Sequence, residues 1–135
     1  MRLWHKDLLD VLPRQQLLGQ WRECHLIAKE IGKKGTPNHI LVNRVIEYGQ
    51  CHFESYCNQV QTEMQKRGYH ADMHKIYQNL PEARHKWLPI EDIFPEWHNE
   101  QYLIQCLYNL QEKHDCKAIP DDEWAKIAKK YPKMK

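Results

Sequence analysis

Residues 13–32 have the sequence PRQQLLGQWRECHLIAKEIG, and their pattern decides the fold class. Apolar side chains recur there at the spacing of a helix with one apolar face. They are Leu17, Trp21, Cys24, Ala28 and Ile31. Pro13 suits the start of a helix because its missing N–H is not needed there, and Gly32 offers a stop. The segment predicts one long amphipathic helix packed against a core.

Two further stretches have the same periodicity, from about residue 51 to 67 and from about residue 97 to 113. The short apolar run from Ile40 to Ile46 is compatible with either a helix or extended chain. Residues 70–96 contain three prolines, which indicates an irregular connection with a short helix near Met73–Asn79. We therefore expect about three long helices joined by irregular connections.

The C-terminal tail, residues 117–135, is rich in lysine. Pro120 and the three acidic residues after it are typical of a helix start. Trp124 and Ile127 then offer apolar side chains that would pack part of the tail onto the body. A chain of 135 residues suits one core. The sequence thus predicts a mainly α protein in which residues 1–135 form a single domain.

Composition limits the class of protein. Hydrophobic residues make up 41% and charged residues 28%, a balance typical of folded chains. No apolar run reaches the ~18 residues that a membrane helix needs, and the first ten residues lack the apolar region of a secretory signal. The five cysteines are an odd, unevenly spaced set, which favours reduced thiols. We expect a cytoplasmic monomer away from membranes; its net charge of +2 permits nucleic-acid binding without arguing for it.

The polar face of the first helix carries Arg22 and Glu23. At ~100° per residue, Glu23 faces away from the apolar stripe and Arg22 lies between the two faces. Three glutamines and a glycine complete this side: Gln15, Gln16, Gly19 and Gln20. Amides can satisfy polar partners, and Gly19 would let another backbone approach closely. By pattern alone, an ordinary solvated helix face explains these residues better than a site does.

A resemblance changes that interpretation. The segment PRQQLLGQWREC at residues 13–24, behind the opening MRLW, resembles the phage endonuclease V family, the pyrimidine-dimer DNA glycosylase/lyases. A second match is MQKRGY at residues 64–69, similar to the end of the family's second long helix. A third, NLQEK at residues 109–113, lies on the last long helix.

The resemblance implies a DNA-repair enzyme without a metal or cofactor. Such an enzyme bends damaged double-stranded DNA and places a nucleotide outside the stack. The N-terminal α-amine then attacks C1′ of the sugar and forms a Schiff base, for which an amine of pKa ~7.7–8.0 is better suited than a lysine at ~10.4. By position Glu23 is the assisting carboxylate and Arg22 holds a phosphate. The implied substrates are pyrimidine dimers or abasic sites.

The sequence departs from the family pattern at positions that affect the nucleophilic amine and the contacts with DNA. The phage enzyme exposes a threonine, whereas Arg2 here is a large residue before which methionine is normally retained, so the nucleophile would be the Met1 amine. The implied DNA-contacting residues are Arg2, Arg22, Gln15, Gln16, His25 and Lys113. His25 follows the Arg-Glu pair in a region where the family has a further basic residue, and Asn109 replaces an arginine.

Other classes of function stay open at this point. The family fold could serve as a non-catalytic DNA- or protein-binding domain. His70 and His74 lie one helical turn apart and could hold a metal if a third ligand converged, although no glutamate follows the first histidine as in a zincin motif. An enzyme built on the cysteines and histidines would be a third class, without a local signature to support it.

Overall fold

The computed structural model describes residues 2–33, 39–80 and 87–133. Six α-helices occur in these ranges: α1 Arg14–Gly32, α2 Ile40–Tyr48, α3 Gln50–Lys66, α4 Met73–Tyr77, α5 Glu100–Asp115 and α6 Asp121–Lys130. Single 3-10 turns lie at Lys6–Leu8 and Ile90–Asp92, and the same ranges contain no strand. The three long helices α1, α3 and α5 have 19, 17 and 16 residues. The predicted mainly α fold is confirmed.

Local sequence explains where the helices begin and end. The undecided run at Ile40 is helical, and α2 ends at Gly49, whose φ of 111° favours glycine. Helix α5 begins at Glu100 and not near Trp97, because the Asn99 side chain accepts a hydrogen bond from the Tyr102 backbone N–H and caps the helix. The residues just before this cap therefore belong to a loop.

The core lies mainly between α1 and α3, which pack against each other. Leu17, Cys24 and Ile27 of α1 are fully buried, as are Phe53 and Tyr56 of α3. The buried apolar side chains of the described residues form one cluster. All five cysteines are free thiols, as their uneven spacing predicted. None of the helices in the described ranges is both long enough and apolar enough to span a membrane.

The C-terminal tail packs back onto the body, as expected from its aromatic and apolar residues. Trp124 is buried and its ring stacks on that of His114, with centroids 5.0 Å apart. Lys130 Nζ donates hydrogen bonds to the Asp7 carbonyl at 2.6 Å and to Asp10 Oδ1 at 2.7 Å. Helix α6 therefore contacts both α5 and the turn that follows the N-terminal residues.

Candidate active site

The N-terminal segment, defined here as residues 2–4, is attached to α1 by Gln20. The Trp4 backbone N–H donates to Gln20 Oε1 at 2.7 Å, and Gln20 Nε2 donates to the Arg2 carbonyl at 2.9 Å. The Gln20 amide thus accepts one backbone hydrogen bond and donates another, as the backbone of a neighbouring β-strand would. Gln20 is 1% exposed, so water does not compete for these hydrogen bonds.

Two tyrosines hold the same segment from other helices. The Tyr56 hydroxyl of α3 donates to the Trp4 carbonyl at 2.5 Å and lies 3.1 Å from Gln20 Oε1. The Tyr102 hydroxyl of α5 donates to the Leu3 carbonyl at 2.7 Å. Burial raises the pKa of both phenols, which keeps them protonated and able to donate. Residues 2–4 are therefore fixed by three helices through their backbone.

Gln16, Gln20 and Glu23 form one polar stripe along α1, since residues three, four and seven apart lie on the same side of a helix. Gln16 and Glu23 are half-buried. Gln16 Oε1 and Glu23 Oε2 are both removed from solvent, and neither accepts a hydrogen bond from any described residue. Buried acceptors without partners are uncommon in folded proteins. One oxygen of the Glu23 carboxylate is thus shielded from water, one helical turn beyond the residue that holds the N-terminal segment.

The expectation that this face of α1 is solvated is wrong for Gln20. The N-terminal segment packs against Gln20, which is buried, whereas Glu23 is half-buried. Periodicity separates an apolar face from a polar one, but it does not show that a different part of the chain covers the polar face. Met1 lies outside the described residues, and the geometry of its amine is not part of the site described above.

Two of the predicted DNA-contacting residues are arginines, Arg22 on α1 and Arg2 in the N-terminal segment. Arg22 is exposed, and its Nη2 is 3.7 Å from the place where a side chain on Gly19 would begin. The Arg22 guanidinium therefore lies across Gly19. Arg2 is half-buried, with its guanidinium carbon 5.0 Å from the centroid of the Trp4 ring. The Arg2 guanidinium thus lies over an indole ring, which holds the cation in place.

The remaining predicted DNA contacts are more scattered. Gln15 is exposed at the start of α1. His25 packs edge-on against Trp21 at 5.0 Å, and burial lowers its pKa, so it is neutral at pH 7 and brings no positive charge. Lys113 is exposed on the last turn of α5, ~16 Å along the helix axis from Tyr102. The structure does not gather these three residues at Glu23.

A second set of buried polar contacts fixes the residues that follow the segment. His98 Nδ1 accepts a hydrogen bond from the Lys6 backbone N–H at 3.0 Å, and His5 Nε2 donates to the His98 carbonyl at 2.9 Å. Lys6 Nζ donates to the carbonyls of Ile93 at 2.6 Å and Glu91 at 3.0 Å. His5 and Lys6 are buried, so neither is a solvated residue of the terminus.

Burial also sets the charge state of this second set. It lowers the pKa of His98 to about 2 and lowers the pKa of His5, so both imidazoles are neutral at pH 7. Burial lowers the pKa of Lys6 as well. The neutral tautomers follow from the hydrogen bonds: each Nδ1 accepts from a backbone N–H, which leaves the proton on Nε2. These residues act as structural anchors.

The metal alternative receives no geometric support from the residues that are described. Within ranges 2–33, 39–80 and 87–133, no three His, Cys, Asp or Glu side chains converge as a metal site would require. His70 and His74 are both exposed.

Comparison with known families identifies the chain. Residues 1–77 match the profile of the pyrimidine dimer DNA glycosylase family. This match covers more than half of the chain, and it includes α1 with its polar stripe, the N-terminal segment and α3. The protein belongs to the pyrimidine dimer DNA glycosylase family, a family of DNA-repair glycosylases, which confirms the resemblance seen at residues 13–24. Comparison with curated proteins and with solved structures gives no match.

The residues that sequence reasoning missed are those that position the segment. Gln20 was assigned to a solvated face, and Tyr56, Tyr102 and His98 were given no role at the N-terminus. No spacing rule links them to residues 2–6, since they come from three other parts of the chain. The only available signal was the placement of polar groups, such as Tyr56, on otherwise apolar helix faces.

Proposed function

We propose that the protein is a DNA glycosylase/AP lyase in which the Met1 α-amine is the nucleophile and Glu23 is the assisting carboxylate. The substrate class is double-stranded DNA that carries a pyrimidine dimer or an abasic site. The observation that supports this proposal most directly is the attachment of residues 2–4 to α1 through Gln20, one helical turn before Glu23.

The attachment of the N-terminal segment supports the proposal through covalent geometry. Met1 is bonded to Arg2, and the Arg2 carbonyl is held by Gln20, so the amine is tethered within one residue of a fixed atom. Fixing a nucleophile beside its assisting group makes the step effectively unimolecular, which is a large source of rate acceleration. The acceptor Glu23 Oε2 has no partner among the described residues and is therefore available to a cationic group.

The chemistry proceeds in two stages. In the first, the unprotonated amine forms a bond to C1′, the base leaves with the electrons of the C1′–N bond, and loss of a proton with ring opening gives the Schiff base. The Glu23 carboxylate stabilises the positive charge that develops on the sugar. In the second, a proton leaves C2′ and the bond from C3′ to the phosphate oxygen breaks, so the strand is cut with the phosphate as leaving group.

Arginines supply the phosphate contacts in this proposal. The exposed Arg22 guanidinium lies over Gly19, which has no side chain to displace it, and would meet a phosphate at the surface of α1. Arg2 contributes a second guanidinium next to the amine. The neutral His25 would contribute a hydrogen bond and no charge.

Borohydride trapping tests the proposal. Protein without a tag, whose native N-terminus has been confirmed by mass spectrometry, is incubated with ultraviolet-damaged and with abasic duplex DNA and then reduced. A covalent protein–DNA adduct is expected, since borohydride reduces a Schiff base to a stable amine. Absence of an adduct on both substrates, while a control lyase gives one, would refute the lyase mechanism.

Two variants separate catalysis from binding. Glu23→Gln is expected to abolish strand cleavage while leaving the fold intact, and Glu30→Gln, two turns further along the same helix, is the matched control. An extra residue before Met1 should remove the adduct and leave salt-dependent DNA binding in place. A non-catalytic DNA-binding domain would instead show binding, no adduct and no effect of either change.

A further inference from the structure

A cleft between α2 and α5 adjoins the N-terminal segment and has an unusual charge. It has a volume of about 350 Å³ and is lined by Arg2, Arg44, Trp97, Tyr102, Gln105 and Asn109, with residues 39–41 at its rim. No carboxylate lines this cleft. By contrast, a cleft of similar size beside the turn at Lys6–Leu8 is lined by the carboxylates of Asp7, Asp10 and Glu63 as well as by lysines. The α2–α5 cleft is therefore cationic and uncompensated.

Both arginines of the cleft are held on indole rings. The Arg44 guanidinium carbon lies 4.6 Å from the centroid of Trp97, and that of Arg2 lies 5.0 Å from the centroid of Trp4. Trp97 and Trp4 are buried, so the rings are rigid supports. Among the described residues, neither guanidinium forms an ion pair with a carboxylate.

This arrangement favours an anionic ligand. Two like charges that line one cleft repel each other and focus a positive potential, which an anion would relieve. Stacking on a ring leaves the N–H edge of a guanidinium directed away from it, and that edge matches the oxygens of a phosphate. Gln105, exposed on α5, adds an amide that can donate a neutral hydrogen bond.

We infer that the α2–α5 cleft binds the phosphodiester backbone of a DNA strand, with Arg44 as its principal contact. The inference rests on the proposed function for the identity of the polymer, and it extends the DNA-binding surface from α1 to α2 and α5. Because Arg2 belongs both to the N-terminal segment and to the cleft, a strand held there runs past the proposed nucleophile.

Fluorescence anisotropy with an undamaged labelled duplex, titrated at several salt concentrations, tests the inference without relying on catalysis. Arg44→Gln is expected to raise the Kd about tenfold at low salt, as loss of one charged hydrogen-bonding contact does. It should also reduce the slope of log K against log salt by about 0.9 for the one phosphate lost. Arg44→Lys keeps the charge but not the planar fork, so it should keep the slope while losing part of the affinity.

Lys66→Gln is the control, because it removes one positive charge from the cleft that contains carboxylates. It should change the Kd and the salt slope much less than Arg44→Gln does. Wild-type Kd and slope for Arg44→Gln, with an unchanged melting temperature, would overturn the inference. The inference would also be overturned if a mononucleotide displaced the labelled duplex as effectively as unlabelled DNA does at the same concentration of phosphate.

The outcomes for the two proposals are distinguishable. If wild-type protein binds DNA through Arg44 but gives no borohydride adduct, the lyase mechanism fails and the cleft assignment stands. If adducts form normally while Arg44→Gln binds as wild type does, the cleft assignment fails and the mechanism stands.

Discussion

Replacing Gln20 with methionine removes the hydrogen bonds of the N-terminal segment while keeping an unbranched side chain that fits a buried site. The Trp4 N–H would lose its acceptor at 2.7 Å and the Arg2 carbonyl its donor at 2.9 Å. Tyr56 would keep its bond to the Trp4 carbonyl. The perturbation therefore falls on two backbone groups and on the 3.1 Å contact of the Tyr56 hydroxyl with Gln20 Oε1.

The magnitude follows from the burial of these groups. A buried N–H left without an acceptor costs about 1–3 kcal/mol, and loss of the partly buried bond to Arg2 about 1 kcal/mol more. We expect Gln20→Met to lower the free energy of unfolding by about 2–4 kcal/mol. That is a large part of the ~5–15 kcal/mol typical of a domain.

Urea unfolding followed by tryptophan fluorescence measures this change, with an unchanged m-value as the check on two-state behaviour. Gln65→Met, on an exposed position of α3, is the matched control and should stay within about 0.5 kcal/mol of wild type. If the proposed mechanism holds, borohydride trapping of the folded variant should also slow by about 100-fold, because residues 2–4, which precede the fixed part of the chain, are no longer held by Gln20. Wild-type stability would refute the role of Gln20 as an anchor, and a wild-type trapping rate would refute its role in placing the nucleophile.

Two further predictions concern glycine positions and pH. Gly19→Ala should raise stability by about 0.5–1 kcal/mol, because the new Cβ would meet only Arg22 at 3.7 Å. Gly32→Ala should lower stability, since its Cβ would collide with the Asn79 carbonyl oxygen, and thermal melts that reverse this order would contradict the packing of α1. Burial lowers the pKa of His98 from 6.5 to about 2. Below pH 6.5 the unfolded chain therefore binds more protons than the folded protein, and the free energy of unfolding decreases as the pH is lowered. At ~1.4 kcal/mol per pH unit, His98 should account for about 2 kcal/mol of the loss between pH 7 and pH 5. Melts of His98→Gln should show a correspondingly flatter pH dependence, and an equal dependence in both proteins would contradict the neutral buried imidazole.

The helices were predictable where a single periodic face decides the structure. The spacing of Leu17, Trp21 and Cys24 places them on one face of a helix, and this face packs against the core. The helix can therefore be recognised in the sequence alone. The run at Ile40 could not be assigned, because nine residues of α2 are too few for periodicity to separate a helix from a strand. Helix α2 ends before Gly49, and this end depends on the positive φ that Gly49 adopts.

The candidate site was less predictable because its geometry depends on long-range contacts. Gln20 looks the same in sequence as the exposed Gln15, and only the packing of residues 2–4 distinguishes them. His5 and Lys6 look like residues of a solvated terminus, yet His98 and the carbonyls before it supply their partners from more than 80 residues away. Glu23 was found through the family resemblance, and the shielding of its Oε2 atom through the structure.

The N-terminal segment and the turn that follows it receive some of their contacts from residues that are made much later during synthesis. Tyr102 lies 99 positions beyond Leu3, and Lys130 lies 120 positions beyond Asp10. These partners leave the ribosome last, and contacts between distant positions form only after a large loss of chain entropy. The beginning of the chain is therefore completed near the end of folding. An amine carried by this segment would therefore reach its position beside α1 only in the finished protein.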